Sequence, residues 1–175
     1  VTFTSGALKK ILTVTQAAQP VTPRYAASTQ TWTFGNQTWS DAIQIPGCHK
    51  ETFEESYSNP QCRSYIAGSN TWYYYNWPYV NRHAALLCPM PWRVPTKDDF
   101  EELKYNTTAN TLIAAWSYGG YANGSSMDGV SSQANYWSST ENSSSNGYYL
   151  GYYSSYVSPQ YSNNRDYGFQ VRCVK

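Results

Sequence analysis

Apolar and polar positions alternate with a period of two over residues 29–45, around Trp32, Phe34 and Trp39. Gly35-Asn36 interrupts that alternation with a dipeptide suited to a tight turn, which predicts a short hairpin. Upstream, Phe3, Ala7, Leu8, Ile11, Leu12 and Val14 make a β-prone run that ends at Ala17-Ala18-Gln19-Pro20, a linker-like break. Residues 1–20 therefore read either as the first strand of this domain or as the remnant of a preceding immunoglobulin-like or fimbrial module plus linker. Residues 21–175 form the second unit of that division. Residues 46–70 are polar and rich in turn formers, whereas Trp72, Tyr73, Tyr74, Tyr75, Trp77 and Tyr79 crowd one stretch, after which a short helix is expected over Asn81–Leu87.

The clearest helix starts after Thr96. A threonine N-cap with Asp99 three residues on is a variant of the capping box, and Asp98, Asp99, Glu101 and Glu102 place negative charge where the helix dipole favours it. Phe100 and Leu103 supply the apolar face, and Asn106 is the expected stop. Leu112–Trp116 fits helix or strand and is broken by Gly119-Gly120. Beyond residue 130 the chain reads as strands and loops. Tyr148–Tyr153 is one strand, with Leu150 facing the core, Tyr148 and Tyr152 partly buried beside it, and Tyr149 and Tyr153 outward. Gly168–Val174 is the last strand, in which Phe169, Val171 and Cys173 point one way and Gln170 and Arg172 the other.

Composition narrows the function classes. The 175 residues suffice for one domain with a core of its own. A net charge of +1, with 13% charged residues and no basic stripe, excludes ordinary nucleic-acid binding. No apolar run reaches the roughly 20 residues of a membrane span, so direct membrane insertion is not expected. Val1 is not an initiator Met and no leader is visible, so a mature or trimmed chain is expected. The outlying quantity is the aromatic content of 17%, with 18 Tyr and 7 Trp.

Cys48, Cys62, Cys88 and Cys173 include no C-x-x-C pair, and His49 and His83 add no finger-like spacing, which argues against a zinc site. Two disulfides account for them better and imply an oxidising compartment. Of three possible connectivities, Cys48–Cys62 and Cys88–Cys173 are expected: the first closes a short polar loop, and the second ties mid-chain to the last strand. No order of Ser, His and Asp and no carboxylate pair supports catalysis, so no enzyme and no cofactor are expected.

Three segments, in order, resemble a known family. Cys88-Pro89-Met90-Pro91-Trp92-Arg93-Val94-Pro95-Thr96, Tyr136-Trp137-Ser138-Ser139-Thr140-Glu141 and Gly168-Phe169-Gln170-Val171-Arg172-Cys173-Val174-Lys175 are similar to the signatures of the Fibrobacter succinogenes major paralogous domain family. The resemblance spans roughly residues 30–175 and includes the aromatic segment Trp72–Trp77; Pro91 departs from it, standing where the family usually has Gly. It implies an α+β, C-type-lectin-like fold with mixed and antiparallel sheets, one or two short helices and disulfide staples. It further implies a surface protein of Bacteroidetes or relatives, extracellular and anchored through an N-terminal part or a fimbria. Within these motifs Trp92 and Trp137 are expected to fill the core, and Arg93 and Arg172 to be buried partners of carbonyls or acids.

Fold is not function, and the calcium-binding triplets of sugar-binding C-type lectins are missing: Ser158-Pro159-Gln160 is the nearest and supplies no carboxylate. A calcium-independent ligand surface is expected instead. Segment 142–167 is dense in Tyr, Ser, Asn and Gly, the chemistry of antibody paratopes. The expected contact residues are Tyr149, Tyr153, Ser155, Tyr156, Gln160, Tyr161, Asn163, Asn164 and Asp166, with a glycan or surface protein as ligand and pilus subunits as partners of the N-terminal segment. Residues 148–167 also resemble the variable region of proteins diversified by retroelements. The competing reading is a structural subunit or spacer of a surface lipoprotein or fimbria, with no ligand of its own.

Overall fold

The computed structural model describes residues 30–45, 47–48 and 53–175. The expected strand and linker of residues 1–20, and His49, lie outside the described residues. The chain is a mixed α+β structure of small antiparallel sheets, few helices and two disulfides. The predicted hairpin is present: β1 (Trp32–Phe34) pairs with β2 (Gln37–Trp39), and Gly35 takes the left-handed φ of 58° that the two-residue turn requires.

Next come the hairpin of β3 (Cys62–Ala67) and β4 (Asn70–Tyr75), then α1 (Trp77–Arg82) and α2 (Ala84–Leu87). The helical segment therefore starts earlier than the expected Asn81. Asn76 caps it by accepting a hydrogen bond from the Tyr79 amide, and Pro78 sits in the first turn, where its missing N–H costs nothing.

Helix α3 (Lys97–Tyr105) begins and ends where the sequence predicts, with the Thr96–Asp99 capping box formed and Asn106 as C-cap. Leu112 falls within a helix, α4 (Ala109–Ala115), capped by Thr108. A small hairpin of β5 (Tyr121–Asn123) and β6 (Ser126–Asp128) precedes the main sheet, in the order β7 (Gln133–Glu141), β8 (Asn146–Tyr153), β9 (Tyr156–Asn164).

The C-terminal segment is not the continuous strand expected for Gly168–Val174. It is an extended run that makes single bridges to five places: Gly168 to Ala122, Phe169 to Tyr75, Gln170 to Tyr136, and Val174 to both Trp39 and Arg93. Each bridge closes one element onto the run, so among the described residues no partner strand lies alongside for long enough to form a ladder. The expected alternation holds: Phe169, Val171 and Cys173 join one apolar cluster with Tyr75, Val80, Leu87 and Trp137. A second cluster, of Trp39, Phe100, Leu103, Leu112, Trp116, Tyr136, Leu150 and Tyr152, lies between the main sheet and α3 and α4. Cys48–Cys62 and Cys88–Cys173 are bonded as expected, with Cα–Cα distances of 5.2 and 5.6 Å.

Two expectations about the motif residues are corrected. Trp137 is fully buried, but Trp92 is only partly so and packs at the margin of the core with Lys175 Nζ 4.6 Å from its ring centre. Arg172 is buried and donates to the Ser40 carbonyl at 2.7 Å, whereas Arg93 is exposed and forms a two-pronged pair with Asp99 at 2.5 and 2.7 Å. Arg93 precedes the capped helix, so its fork reaches the capping carboxylate from the solvent side.

Burial pushes the Asp99 carboxyl up. The hydrogen bonds of Arg93 and Thr96 and the Arg93 charge outweigh this and hold it below the usual carboxylate range. A carboxyl depressed in the folded state contributes its stability above the unfolded pKa near ~3.9 and loses it as pH falls through the folded value. Asp99→Asn is expected to cost roughly 1–2 kcal/mol near neutrality, for the lost cap and a half-exposed ion pair. Thermal melts of both proteins from neutral pH into acid check this: the two curves should converge below about pH 4, and a constant gap would refute the assignment.

Candidate functional site

The strand register decides which side chains share the face of the main sheet turned away from α3 and α4. Directly opposed residues of antiparallel strands lie on one face, and here Trp137, Tyr149 and Tyr161 form one cross-strand row while Tyr153 and Tyr156 oppose each other at the hairpin end. β9 takes three steps from Ser158 to Tyr161 where β8 takes two from Gly151 to Tyr149, a bulge that shifts Tyr161 along the face. The rings meet: Tyr149–Tyr161 at 5.6 Å, Tyr156–Tyr161 at 6.3 Å and Tyr153–Tyr156 stacked at 6.3 Å between centroids. Gly151 is the floor beneath them, because a Cβ there would stand 2.9 Å from Tyr161 and 3.1 Å from Tyr149.

Tyr149 and Tyr153 were expected to face outward, and they do so half-buried rather than free. Behind Tyr149 lie Phe169 at 4.6 Å and Trp137 at 6.0 Å, so its ring is a fixed part of the surface. Burial, with Tyr161 and Tyr121 nearby, pushes the Tyr149 phenol up to about 12, and burial with the Tyr161 hydroxyl raises that of Tyr153. Both hydroxyls stay protonated at physiological pH and can donate as well as accept. On the other face Leu150 is buried as expected, but Tyr152 is wholly rather than partly buried, its hydroxyl donating to the Trp116 carbonyl at 2.6 Å.

The remaining expected residues divide. Ser155 is exposed in the β8–β9 turn beside Tyr156, and Asn163, opposite Gly147, continues the tyrosine face. Gln160 does not belong to it: its amide is engaged by Glu101 of α3 on the helix side. Asn164 has the parity of Ser162 and Tyr148, and Tyr148 lies under Lys97 of α3, so Asn164 also falls on the other side. Asp166 lies past the end of β9. Its carboxyl is pushed up by burial and by Glu55, and one of its oxygens is buried without a hydrogen-bond partner.

Two residues outside the expected set extend the face. Tyr121 and Tyr167 stack at 5.9 Å, and both approach Phe169, at 5.9 and 6.3 Å. Tyr167 sat within the tyrosine-rich segment, but nothing in the sequence linked Tyr121 to it. The aromatic surface thus runs from Tyr153 and Tyr156 through Tyr161 and Tyr149, past the Phe169 ring, to Tyr121 and Tyr167. Its chemistry is flat stacking faces with hydroxyl tips on a rigid sheet. Among the described residues no group of three or more His, Cys, Asp or Glu side chains gathers to hold a metal ion. Compared with protein-family models, curated proteins and solved structures, the chain matches none significantly.

Proposed function

We propose that this chain is a binding domain of a cell-surface adhesin or receptor-binding protein, of C-type-lectin-like architecture, which uses its tyrosine face to hold a glycan or protein ligand. The observation that carries this reading is the contiguity of Tyr149, Tyr153, Tyr156 and Tyr161 on one sheet face. Tyrosine contributes large contact area for little lost rotamer freedom, and these rings are pre-ordered by packing, so little is spent on immobilising them. A spacer gains nothing from half-buried tyrosines on an open face and is better served by charge. The two disulfides support an oxidising compartment, and no described helix is long and apolar enough to cross a membrane. The three sequence motifs support the lectin-like architecture and a Bacteroidetes-type surface protein. The retroelement reading makes this same face the diversified one, and an adjacent reverse transcriptase with a template repeat in the flanking coding sequence decides it.

The test is binding of the labelled domain to a glycan array and to intact host and bacterial cells. Tyr153→Ala, Tyr156→Ala and Tyr161→Ala are each expected to weaken binding by roughly 30-fold, the equivalent of an aromatic anchor of about 2 kcal/mol, without unfolding the domain. Chelation of calcium is expected to leave binding intact. Wild-type binding by all three variants would remove the proposed site and favour the spacer reading.

A further inference from the structure

The aromatic surface ends at Tyr121 and Tyr167, and the β5–β6 hairpin sets what stands beside them. Tyr121 and Asp128 are directly opposed in that hairpin, so their side chains leave it on one face. The next pair, Ala122 and Met127, points the other way, into the cluster of Phe53 and Tyr74. The half-buried Asp128 carboxylate is thus held beside the Tyr121 ring. Burial, then the Asp128 charge, then Tyr167 raise the Tyr121 phenol, so the ring stays neutral at physiological pH. Tyr121 and Tyr167 are near-parallel at 26°, and rings in contact with centroids 5.9 Å apart are slipped sideways, so neither covers the other's face fully.

Among the described residues no cation and no hydrogen-bond donor meets the Asp128 carboxylate. Arg63, which reaches this hairpin, is engaged at its turn, donating to the Gly124 and Ser125 carbonyls at 3.3 and 3.2 Å. Glu55 adds a second negative charge: it is exposed, and it lies close enough to Asp166, the residue before Tyr167, to add to the rise that burial causes in that carboxyl. The opposite end of the face differs. There Lys104 sets its Nζ 6.0 Å from the centre of the Tyr156 ring, so one tyrosine of this surface already carries a cation of the chain's own. The Tyr121–Tyr167 end has the rings and the negative charge, but no described cation over either ring.

We propose that this end of the tyrosine face binds a cationic side chain, lysine or arginine, presented by a protein ligand, with Asp128 as its counter-ion. The inference rests on the reading of that face as a ligand surface and commits it to a protein. A cation beside Tyr121 and Tyr167 is attracted by the ring electrons and meets a carboxylate that gives up no other partner to receive it. Arginine suits the place best, because its planar guanidinium can lie along a ring while its edge forks to the carboxylate. An anionic ligand would be repelled by Asp128 and Glu55. A neutral sugar could stack on the rings but would bring no charge to Asp128.

The test is titration of the domain, isotope-labelled on its tyrosine rings, with acetyl-arginine methylamide, its neutral norleucine and acidic glutamate counterparts, and methyl glucoside, all at constant ionic strength. The arginine probe is expected to give saturable shifts at Tyr121 and Tyr167, with a dissociation constant on the order of 10–100 mM, as fits one exposed cation–ring contact and one ion pair. The other three probes should not saturate there. Asp128→Asn should weaken arginine binding about two- to fivefold at an unchanged melting temperature, since no internal partner is lost. Tyr153→Ala should leave this place unaffected. No saturation with the arginine probe, equal binding of the norleucine probe or the glucoside, or full affinity in Asp128→Asn would each overturn the proposal. Such a failure beside weakened cell binding by Tyr153→Ala, Tyr156→Ala and Tyr161→Ala would leave the tyrosine face standing and move its ligand to the glycan class.

Discussion

Removal of the Cys88–Cys173 bond, by Cys88→Ala with Cys173→Ala, is expected to cost about 4.5 kcal/mol, because the bond closes a loop of sequence separation 85. The Cys48–Cys62 bond spans a separation of only 14, and its removal should cost about 3 kcal/mol by the same loop-closure entropy. In a domain of this size each kcal/mol moves the melting temperature by about 2–4 °C, so the long-loop variant should melt about 9–18 °C lower. The structural reason is that Cys173 lies on the extended run that closes the fold. Ser40 donates its amide to the Cys173 carbonyl at 2.9 Å, Thr38 and Lys175 exchange two hydrogen bonds at 3.0 Å, and Arg93 and Val174 exchange another two. Freed at Cys173, the run loses its covalent anchor to the segment before α3. Calorimetry of the two double variants settles the matter; a smaller loss for the Cys88–Cys173 pair than for the Cys48–Cys62 pair would show that loop closure is not the controlling quantity.

Trp137→Ala is the second large effect, at about 3–5 kcal/mol. The indole is fully buried, stacks on Phe169 at 4.1 Å and donates from Nε1 to the Tyr75 carbonyl at 2.8 Å. The cavity would open between β7 and the C-terminal run, where rigid neighbours on both sides hinder collapse. Trp92→Ala, at a half-buried position, should cost only about 1–2 kcal/mol by area burial. Urea unfolding distinguishes them by the midpoint at constant slope. Equal losses would mean that the Trp92 ring carries core packing its exposure does not reveal. Because Tyr149 leans on Trp137 and Phe169, Trp137→Phe, which keeps a ring there, should preserve ligand binding better than Trp137→Ala.

Phe169 of the C-terminal run backs the tyrosine face, while Gln170 and Arg172 floor a cleft on the other side. Extended backbone sends alternate side chains to opposite sides, so one short segment contributes to both places without a residue in common.

Local rules were legible in the amino-acid sequence. The Gly35-Asn36 turn, the Thr96–Asp99 capping box, the Asn106 stop and the two-sided alternation of residues 168–173 all depend on neighbours within a few positions, and all are present. Four cysteines left three pairings open in the sequence, and the expected one is formed. The candidate site was legible only in part. Parity along β8 placed Tyr149 and Tyr153 on one face, but the bulge in β9 and the approach of α3 decided that Tyr161 joins them while Gln160 turns to Glu101. Tyr121 reaches the same surface from a separate hairpin, and Trp92 and Arg93 are displaced outward beside a buried Val94. The cleft floored by Gln170 and Arg172 is assembled from four stretches far apart in the chain, residues 41–44, 69–73, 117 and 170–172. Turns, caps and alternation are set by covalent geometry and short-range hydrogen bonds; which faces meet, and which buried polar atoms go unpaired, is set by packing between distant segments, which only the tertiary structure decides.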